Sequence, residues 1–454
     1  MLREKKFRNF LNKSVSLFKS KSYLSCTISY SMKQIFHSSL FKHIATLLSA
    51  NSVSQAIALL VYPLITRLYA PENFGLFNLF LSIGGILAIV GTANYHYAIV
   101  LPKNERKAFA CLSLSFIITA ALVVLSVIAL IFSSQIALLF DSPDLGEYLF
   151  LMPIFVLLTA LWNSLNYWFT RYQWYKPIAF YQVGNSLSSS LLKYLFGLSG
   201  FLTGGLLFGT LIAQFAAMVG SLWIAWKKGI AKVLTITQQE IKDVAVEYRN
   251  FPQFSLPHSL INTLGGSLPI LLLAPFFSLA HIGFFGMAMA LAFRPINIIS
   301  SSLNQVFYPI TTQKVNDKES ILRFFKRYIS RTLYILLPLF IGLFTILPWL
   351  TEWLLGANWN VTGEYMQLML PWLLFSALVA PITYLADLFG KQKIALGIEI
   401  ASVVMRLSGL LIGIMAESFY LAIAFYCLAS ALVVAGQLIW YSRLVVQYEK
   451  TIKV

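Results

Sequence analysis

The sequence predicts an all-α integral membrane protein: twelve transmembrane helices in two parallel-repeat six-helix bundles around a central cavity, both termini cytoplasmic. Three observations predict it. Of 454 residues, 58% are hydrophobic and only 11% charged, whereas a soluble domain carries about 25% charged residues. Twelve apolar runs follow one another, each close to the span of about 20 residues that crosses about 30 Å of hydrocarbon. The positive charges alternate: of 34 Lys/Arg, all but Arg67, Lys193, Arg294 and Arg406 fall in every second gap or at the ends. Short loops rich in Lys and Arg stay cytoplasmic, which sets the predicted orientation.

Residues 1–43 form a basic arm, with nine Lys/Arg against the single acid Glu4. It reads as a plain tail, as an arm on an anionic membrane surface, or as sequence ahead of a natural start at Met32. The first bundle, 44–226, holds spans Ile44–Thr66, Phe77–Val100, Phe109–Phe132, Tyr148–Phe169, Pro177–Leu198 and Thr203–Trp226. A cytoplasmic linker, 227–253, leads to the second bundle, 254–440. Its spans are Phe254–Phe276, Ile282–Tyr308, Leu333–Leu350, Tyr365–Leu385, Ile394–Met415 and Phe419–Trp440, and residues 441–454 form a cytoplasmic tail. The first apolar run is long enough to stay in the bilayer rather than act as a cleaved leader.

The halves echo each other. Asn73-Phe-Gly-Leu-Phe77 recurs as His281-Ile-Gly-Phe-Phe285, an offset of 208 residues, each time opening the second helix of a half. Six spans per half is an even number, so both copies point the same way. Repeats of that kind, related by an axis along the membrane normal, place a cavity between two bundles.

Composition also excludes classes. The net charge of +17 sits in membrane loops and not on a soluble basic face, so nucleic acid is not a partner. Cys26, Cys111 and Cys427 have no metal or disulfide spacing. There is no GxxxxGK[ST] phosphate loop, and no cofactor is implied. The longest outward loop, Ser133–Glu147, leaves little room for a glycosyltransferase or polymerase to hold acid/base carboxylates. The chain is therefore not expected to be an enzyme.

The centre of the chain carries a resemblance. EYRNFPQFSLP from Glu247, SLPILLLAPFFSLAHIGFF from Ser267 and RPINIISSSLNQVF from Arg294 resemble the oligosaccharide flippases of polysaccharide and O-antigen export (Wzx-type). That family lies in the superfamily of multidrug extruders and lipid II flippases. The block Leu64–Phe109, with TRLYAPENFG, is similar to the same family. The resemblance implies alternating-access movement of an undecaprenyl-diphosphate-linked oligosaccharide from the cytoplasmic to the outer leaflet of a bacterial inner membrane. It implies membrane lipids around the chain, with a polysaccharide polymerase and a chain-length regulator as candidate protein partners. The alternative is an ion-coupled multidrug or small-solute antiporter of the same superfamily.

Candidate site residues follow from charge at membrane depth, which is costly unless it faces a cavity or a partner. Arg294, directly before Pro295, Arg406 and Lys193 suit a substrate diphosphate, since guanidinium pairs with phosphate in two-pronged fashion. Arg67 either meets phosphate at the outer mouth or caps helix carbonyls. Glu399 and Asp387 are candidates for proton or sodium coupling; pairing with Lys391 or Lys393 is the plainer reading. On the cytoplasmic side Trp168, Arg171, Trp174 and Lys176 form a candidate entrance for glycan, or an ordinary interfacial belt.

Overall fold

The structure, a computed structural model, describes residues 39–452. The N-terminal arm, apart from its last residues, and the choice between Met1 and Met32 lie outside that range. The described residues are helical, with no strand among them. Among the described residues there are twelve helices of 18 residues or more: α1 Ser39–Thr66, α2 Pro71–Val90, α3 Glu105–Ala129, α4 Met152–Arg171, α5 Tyr175–Leu198, α6 Leu202–Lys227, α7 Leu256–Leu273, α8 Leu279–Asn316, α9 Leu322–Leu355, α10 Asn360–Val379, α11 Gln392–Met415 and α12 Phe419–Thr451.

Ten helical segments among the described residues are long and apolar enough to cross a membrane. The two long helices outside that set are α1 and α5, which carry Asn51, Ser54 and Gln55 and Gln182, Asn185 and Ser186. Several boundaries differ from the sequence reading. Helix α2 starts at Pro71, where a missing N–H costs nothing and φ is preset for a helix. It ends early because Ala93 and Asn94 turn left-handed, at φ 44° and 59°; a short 3₁₀ turn then covers Tyr95–Val100. The loop Ser133–Glu147, predicted to face outward, is itself partly helical, over Ser133–Leu139 and Pro143–Tyr148. Helices α8, α9 and α12 run on for 38, 34 and 33 residues, so the predicted tail from 441 is a continuation of α12.

Within the first half α5 packs on α1 and α6, and α3 on α4; within the second, α12 packs on α10 and α11. The halves meet chiefly where α2 lies on α8. Glycine makes that approach possible. A Cβ on Gly75 would sit 1.9 Å from the Leu279 carbonyl oxygen, and one on Gly283 would sit 1.9 Å from the Pro71 carbonyl oxygen. Both pairs are related by the same offset of 208 residues, so the two contacts exchange when the halves exchange, as at a two-fold interface. One turn on, a Cβ on Gly286 would strike the Asn78 side chain at 2.0 Å. Asn78 and Gly286 are again 208 apart, which places this pair on the axis itself.

The same end is closed by polar bonds between the halves. Thr66 Oγ1 donates to the Leu355 carbonyl at 2.9 Å, and Trp359 Nε1 donates to the Thr66 carbonyl at 2.9 Å. Arg67 donates to the Trp353 carbonyl at 3.2 Å, where the last carbonyls of α9 lack helical partners. Phe74 meets Trp359 edge to face at 5.1 Å. At the other end of α2, Asn94 Nδ2 donates to the hydroxyls of Ser255 and Ser259. That bond ties the start of α7 to the first half, and α7 packs more on α2 than on α11.

The linker follows the first half. Its helix Gln238–Glu247 is held to the start of α3 by Arg106–Glu240 and Lys107–Glu247, with Lys232–Glu105 beside it. The Arg106 hydrogen bond, then the Thr237 N–H, pull the Glu240 carboxyl down to about 2.

The glycine crossing gives a direct prediction. Gly75→Ala and Gly283→Ala should each destabilise the protein by about 1–3 kcal/mol through overpacking, seen as a lowered melting temperature in detergent. Gly85→Ala, on the same helix with nothing within 4 Å of its Cβ, should leave it unchanged.

Candidate functional site

Below the closed end lies a cavity of about 550 Å³, lined by α1, α2, α5, α6 and α8. Helix α1 contributes Asn51, Ser54, Gln55, Tyr62 and Ile65; α5 contributes Gln182, Asn185, Ser186, Ser189, Ser190 and Lys193. These positions recur every three or four residues, which aligns them on one face of each helix. From Ile65 to Asn51 the α1 face extends about 20 Å at 1.5 Å per residue. Helix α8 supplies Arg294 and Asn297 from across the seam.

Helix packing holds Lys193 in place. A Cβ on Gly209 of α6 would lie 2.9 Å from Lys193 Cγ, so α6 presses directly on the lysine stem. The Tyr69 hydroxyl donates to the Lys193 carbonyl at 2.7 Å. Helix α1 is fixed to α5 by the Ser186 hydroxyl, which donates to the Ser54 carbonyl at 2.7 Å.

The cavity is cationic. Lys193 Nζ lies 4.6 Å from the Phe77 ring centroid, and the Arg294 guanidinium lies 4.7 Å from that of Tyr62. Among the described residues neither cation has a carboxylate within 4.0 Å, and no Asp or Glu lines the cavity. Aromatic faces attract a cation but leave its charge unneutralised. Arg294 Nη1 is buried without a hydrogen-bond partner, as are Gln182 Oε1 and Asn185 Oδ1. An unpaired buried donor costs about 1–3 kcal/mol. An anionic oxygen at Arg294 would remove that cost and answer the charge together.

Of the four residues predicted for a diphosphate, the structure therefore brings together Arg294 and Lys193. Arg406 is elsewhere: its Nε donates to the Ser430 hydroxyl at 3.0 Å and its guanidinium sits 5.5 Å from the Trp372 ring, inside the second half. Arg67 is at the closed end, on the α9 carbonyl described above. Asp387 is exposed and Glu399 half-exposed; neither lines the cavity, and neither forms an ion pair with Lys391 or Lys393 among the described residues.

The aromatic stretch is also displaced from the cavity. Trp168 is 1% exposed and packs against Phe109, Tyr172 and Trp174. Trp174 stacks on Tyr172 at 4.7 Å, with Lys228 over it at 4.9 Å. Arg171 donates to the Ile99 carbonyl at 3.0 Å, and Lys176 is exposed. These rings are covered by one another, which leaves no free face at Trp168 for a sugar. The sequence reading missed Tyr62 and the amide and hydroxyl faces of α1 and α5, although their helical spacing was visible.

A family model described as polysaccharide biosynthesis protein matches residues 64–364. The chain is 20% identical over 315 residues to the succinoglycan biosynthesis transport protein ExoT of Rhizobium meliloti (strain 1021). That match covers 68% of this chain, and the chain spans only 60% of that relative. Among solved structures, an inward-facing multidrug resistance MATE family transporter of the MOP superfamily superposes with a TM-score of 0.65 at 15% identity. It covers 87% of this chain and 96% of its own. Lipid II flippase MurJ, in an inward closed conformation, gives 0.70 at 11% identity, covering 89% and 90%. These likenesses show the fold.

Water access tests the cavity. With the native cysteines replaced by serine, Asn185→Cys should react with a water-soluble thiol reagent. Leu191→Cys, on the outer side of α5 and 56% exposed, should stay unreactive in the bilayer.

Proposed function

The chain belongs to the polysaccharide biosynthesis protein family, and from that premise we propose that it flips an undecaprenyl-diphosphate-linked oligosaccharide from the cytoplasmic to the outer leaflet. Carrying a hydrated glycan and a diphosphate through hydrocarbon is the physical problem. A polar cavity with cations but no acids suits the head of such a lipid, while its tail stays in the bilayer. The observation that carries the reading is the pairing of Lys193 and Arg294, from opposite halves, around one cavity with an orphaned guanidinium N–H. Arg294 is the diphosphate ligand in this reading and Lys193 adds charge beside it; Asn51, Gln55, Gln182 and Asn185 meet glycan hydroxyls.

The orientation of the proposal is that of the charge alternation: twelve crossings, both ends cytoplasmic, in a bacterial inner membrane. The α1–α2 turn is then outward, so the sealed end is the outer one and the cavity opens inward. Rocking one half against the other about the α2–α8 crossing would break the bonds at Thr66, Arg67 and Trp359 and open the outer side. A coupling proton or sodium ion held by Glu399 or Asp387 would bind in the second half, away from Lys193 and Arg294. A cationic drug as substrate is disfavoured by the same positive lining.

Charge-assisted hydrogen bonds contribute about 1.5–3 kcal/mol, so losing Arg294 should cost roughly tenfold to a hundredfold in substrate affinity. In a strain lacking the native copy, Arg294→Ala should abolish surface polysaccharide at an unchanged membrane level of the protein, and Arg294→Lys should restore part of it. Normal surface polysaccharide with Arg294→Ala would remove the proposal's central residue.

A further inference from the structure

A second concentration of positive charge lies outside the cavity, where α9 begins and α12 ends. Arg323, Lys326, Arg327 and Arg331 on α9 and Arg443 and Lys450 on α12 are all exposed. None of them takes part in an ion pair within 4.0 Å among the described residues. The nearby carboxylate of Glu449 is already engaged: its Oε1 accepts from the Ser320 hydroxyl at 2.7 Å and from the N–H groups of Ile321 and Leu322 at 2.9 Å. An acid there matches the positive end of α9. It also staples the end of α12 to the start of α9.

Beyond that staple the two helices part and leave a groove of about 520 Å³. Its composition changes along its length. The inner stretch is apolar, with Ile329 on α9 and Leu438 and Ile439 on α12; from Ser442 onwards the lining carries Arg443, Gln447 and Lys450, with Val446 among them. Leu438 to Lys450 spans about 18 Å of helix. Trp440, half-buried, precedes Arg443 by one turn of α12, where an aromatic residue marks the membrane interface; Tyr441 beside it is buried and donates to the Thr383 carbonyl.

The geometry points to a binding site for an anionic phospholipid of the cytoplasmic leaflet, with its phosphate between Arg443 and Lys450 and an acyl chain along Ile329 and Ile439. Apolar below, aromatic at the interface and cationic above is the polarity profile of that ligand. Basic pockets between transmembrane helices on the cytoplasmic side are suited to anionic headgroups. A free phosphate would use the cations and leave the apolar floor uncovered. The leaflet assignment rests on the orientation proposed above, whereas binding itself does not depend on transport, so the two readings fail separately.

The test uses the full chain in detergent, titrated with phosphatidylglycerol, with phosphatidylcholine of the same acyl chains, and with soluble glycerol phosphate, bound lipid being counted by native mass spectrometry. Phosphatidylglycerol should bind at least tenfold more tightly than phosphatidylcholine, and glycerol phosphate should not compete at equal concentration. Arg443→Gln/Lys450→Gln should erase the preference, while Lys103→Gln/Lys176→Gln, exposed cations of the first half, should keep it. Equal binding of the two lipids, or a preference that survives Arg443→Gln/Lys450→Gln, would overturn the site. Effective competition by glycerol phosphate would also overturn it, leaving a site for phosphate alone.

Discussion

Everything in this molecule is arranged about the contact of two backbones at Gly75 and Gly283. A side chain of any size on either would meet a carbonyl oxygen of the other helix at 1.9 Å, well inside any non-bonded distance. Small residues at helix crossings let van der Waals packing replace a hydrophobic drive that is absent between helices in lipid. The crossing lies near the first turns of both helices. The cavity lies beside this crossing, lined by α1, α2, α5 and α6 of the first half and by Arg294 and Asn297 of α8. The bonds of Thr66, Arg67 and Trp359 close the joined end because it is where backbone carbonyls at the ends of α1 and α9 come within reach of donors from the other half.

The cavity is then a problem in electrostatics. A cation at membrane depth costs a few kcal/mol even on the mildest scale. Arg406 meets that cost within its own half, through Ser430 and Trp372. Lys193 and Arg294 do so only in part, through ring faces. The contrast separates a structural cation from one left available to a ligand. Two symmetric halves have thus become chemically unequal: the first supplies most of the polar lining, and the second supplies Arg294 and Asn297.

Much of the fold was legible in the sequence for physical reasons. Hydrocarbon thickness sets span length, so the apolar runs located the helices; their ends were less legible, because α8, α9 and α12 continue as helix past the apolar runs. The echo of Asn73–Phe77 in His281–Phe285 marked the two halves as related, and in the structure the glycine shared by both pentapeptides forms their seam. Arg294 and Lys193 were legible as charges that need a partner. Arg406 looked the same, since a hydroxyl 24 residues away on the next helix leaves no local signal. Trp168, Arg171, Trp174 and Lys176 read either as a glycan entrance or as an interfacial belt, and in the structure the rings of Trp168 and Trp174 are covered by each other and by Tyr172. The polar faces of α1 and α5 were written in the three-to-four spacing of Asn51, Gln55 and Tyr62 and of Gln182, Ser186 and Lys193, masked by the apolar average around them.

The central claim is that two cations from different halves share one anionic ligand. It is tested most directly by calorimetric titration of the purified protein with a short-chain prenyl-diphosphate disaccharide, in a double-mutant cycle of Lys193→Ala and Arg294→Ala. Saturable binding by the wild type, with the two losses coupled rather than additive, is the predicted result. Independent, additive losses, or binding that survives in Lys193→Ala/Arg294→Ala, would contradict a shared diphosphate site.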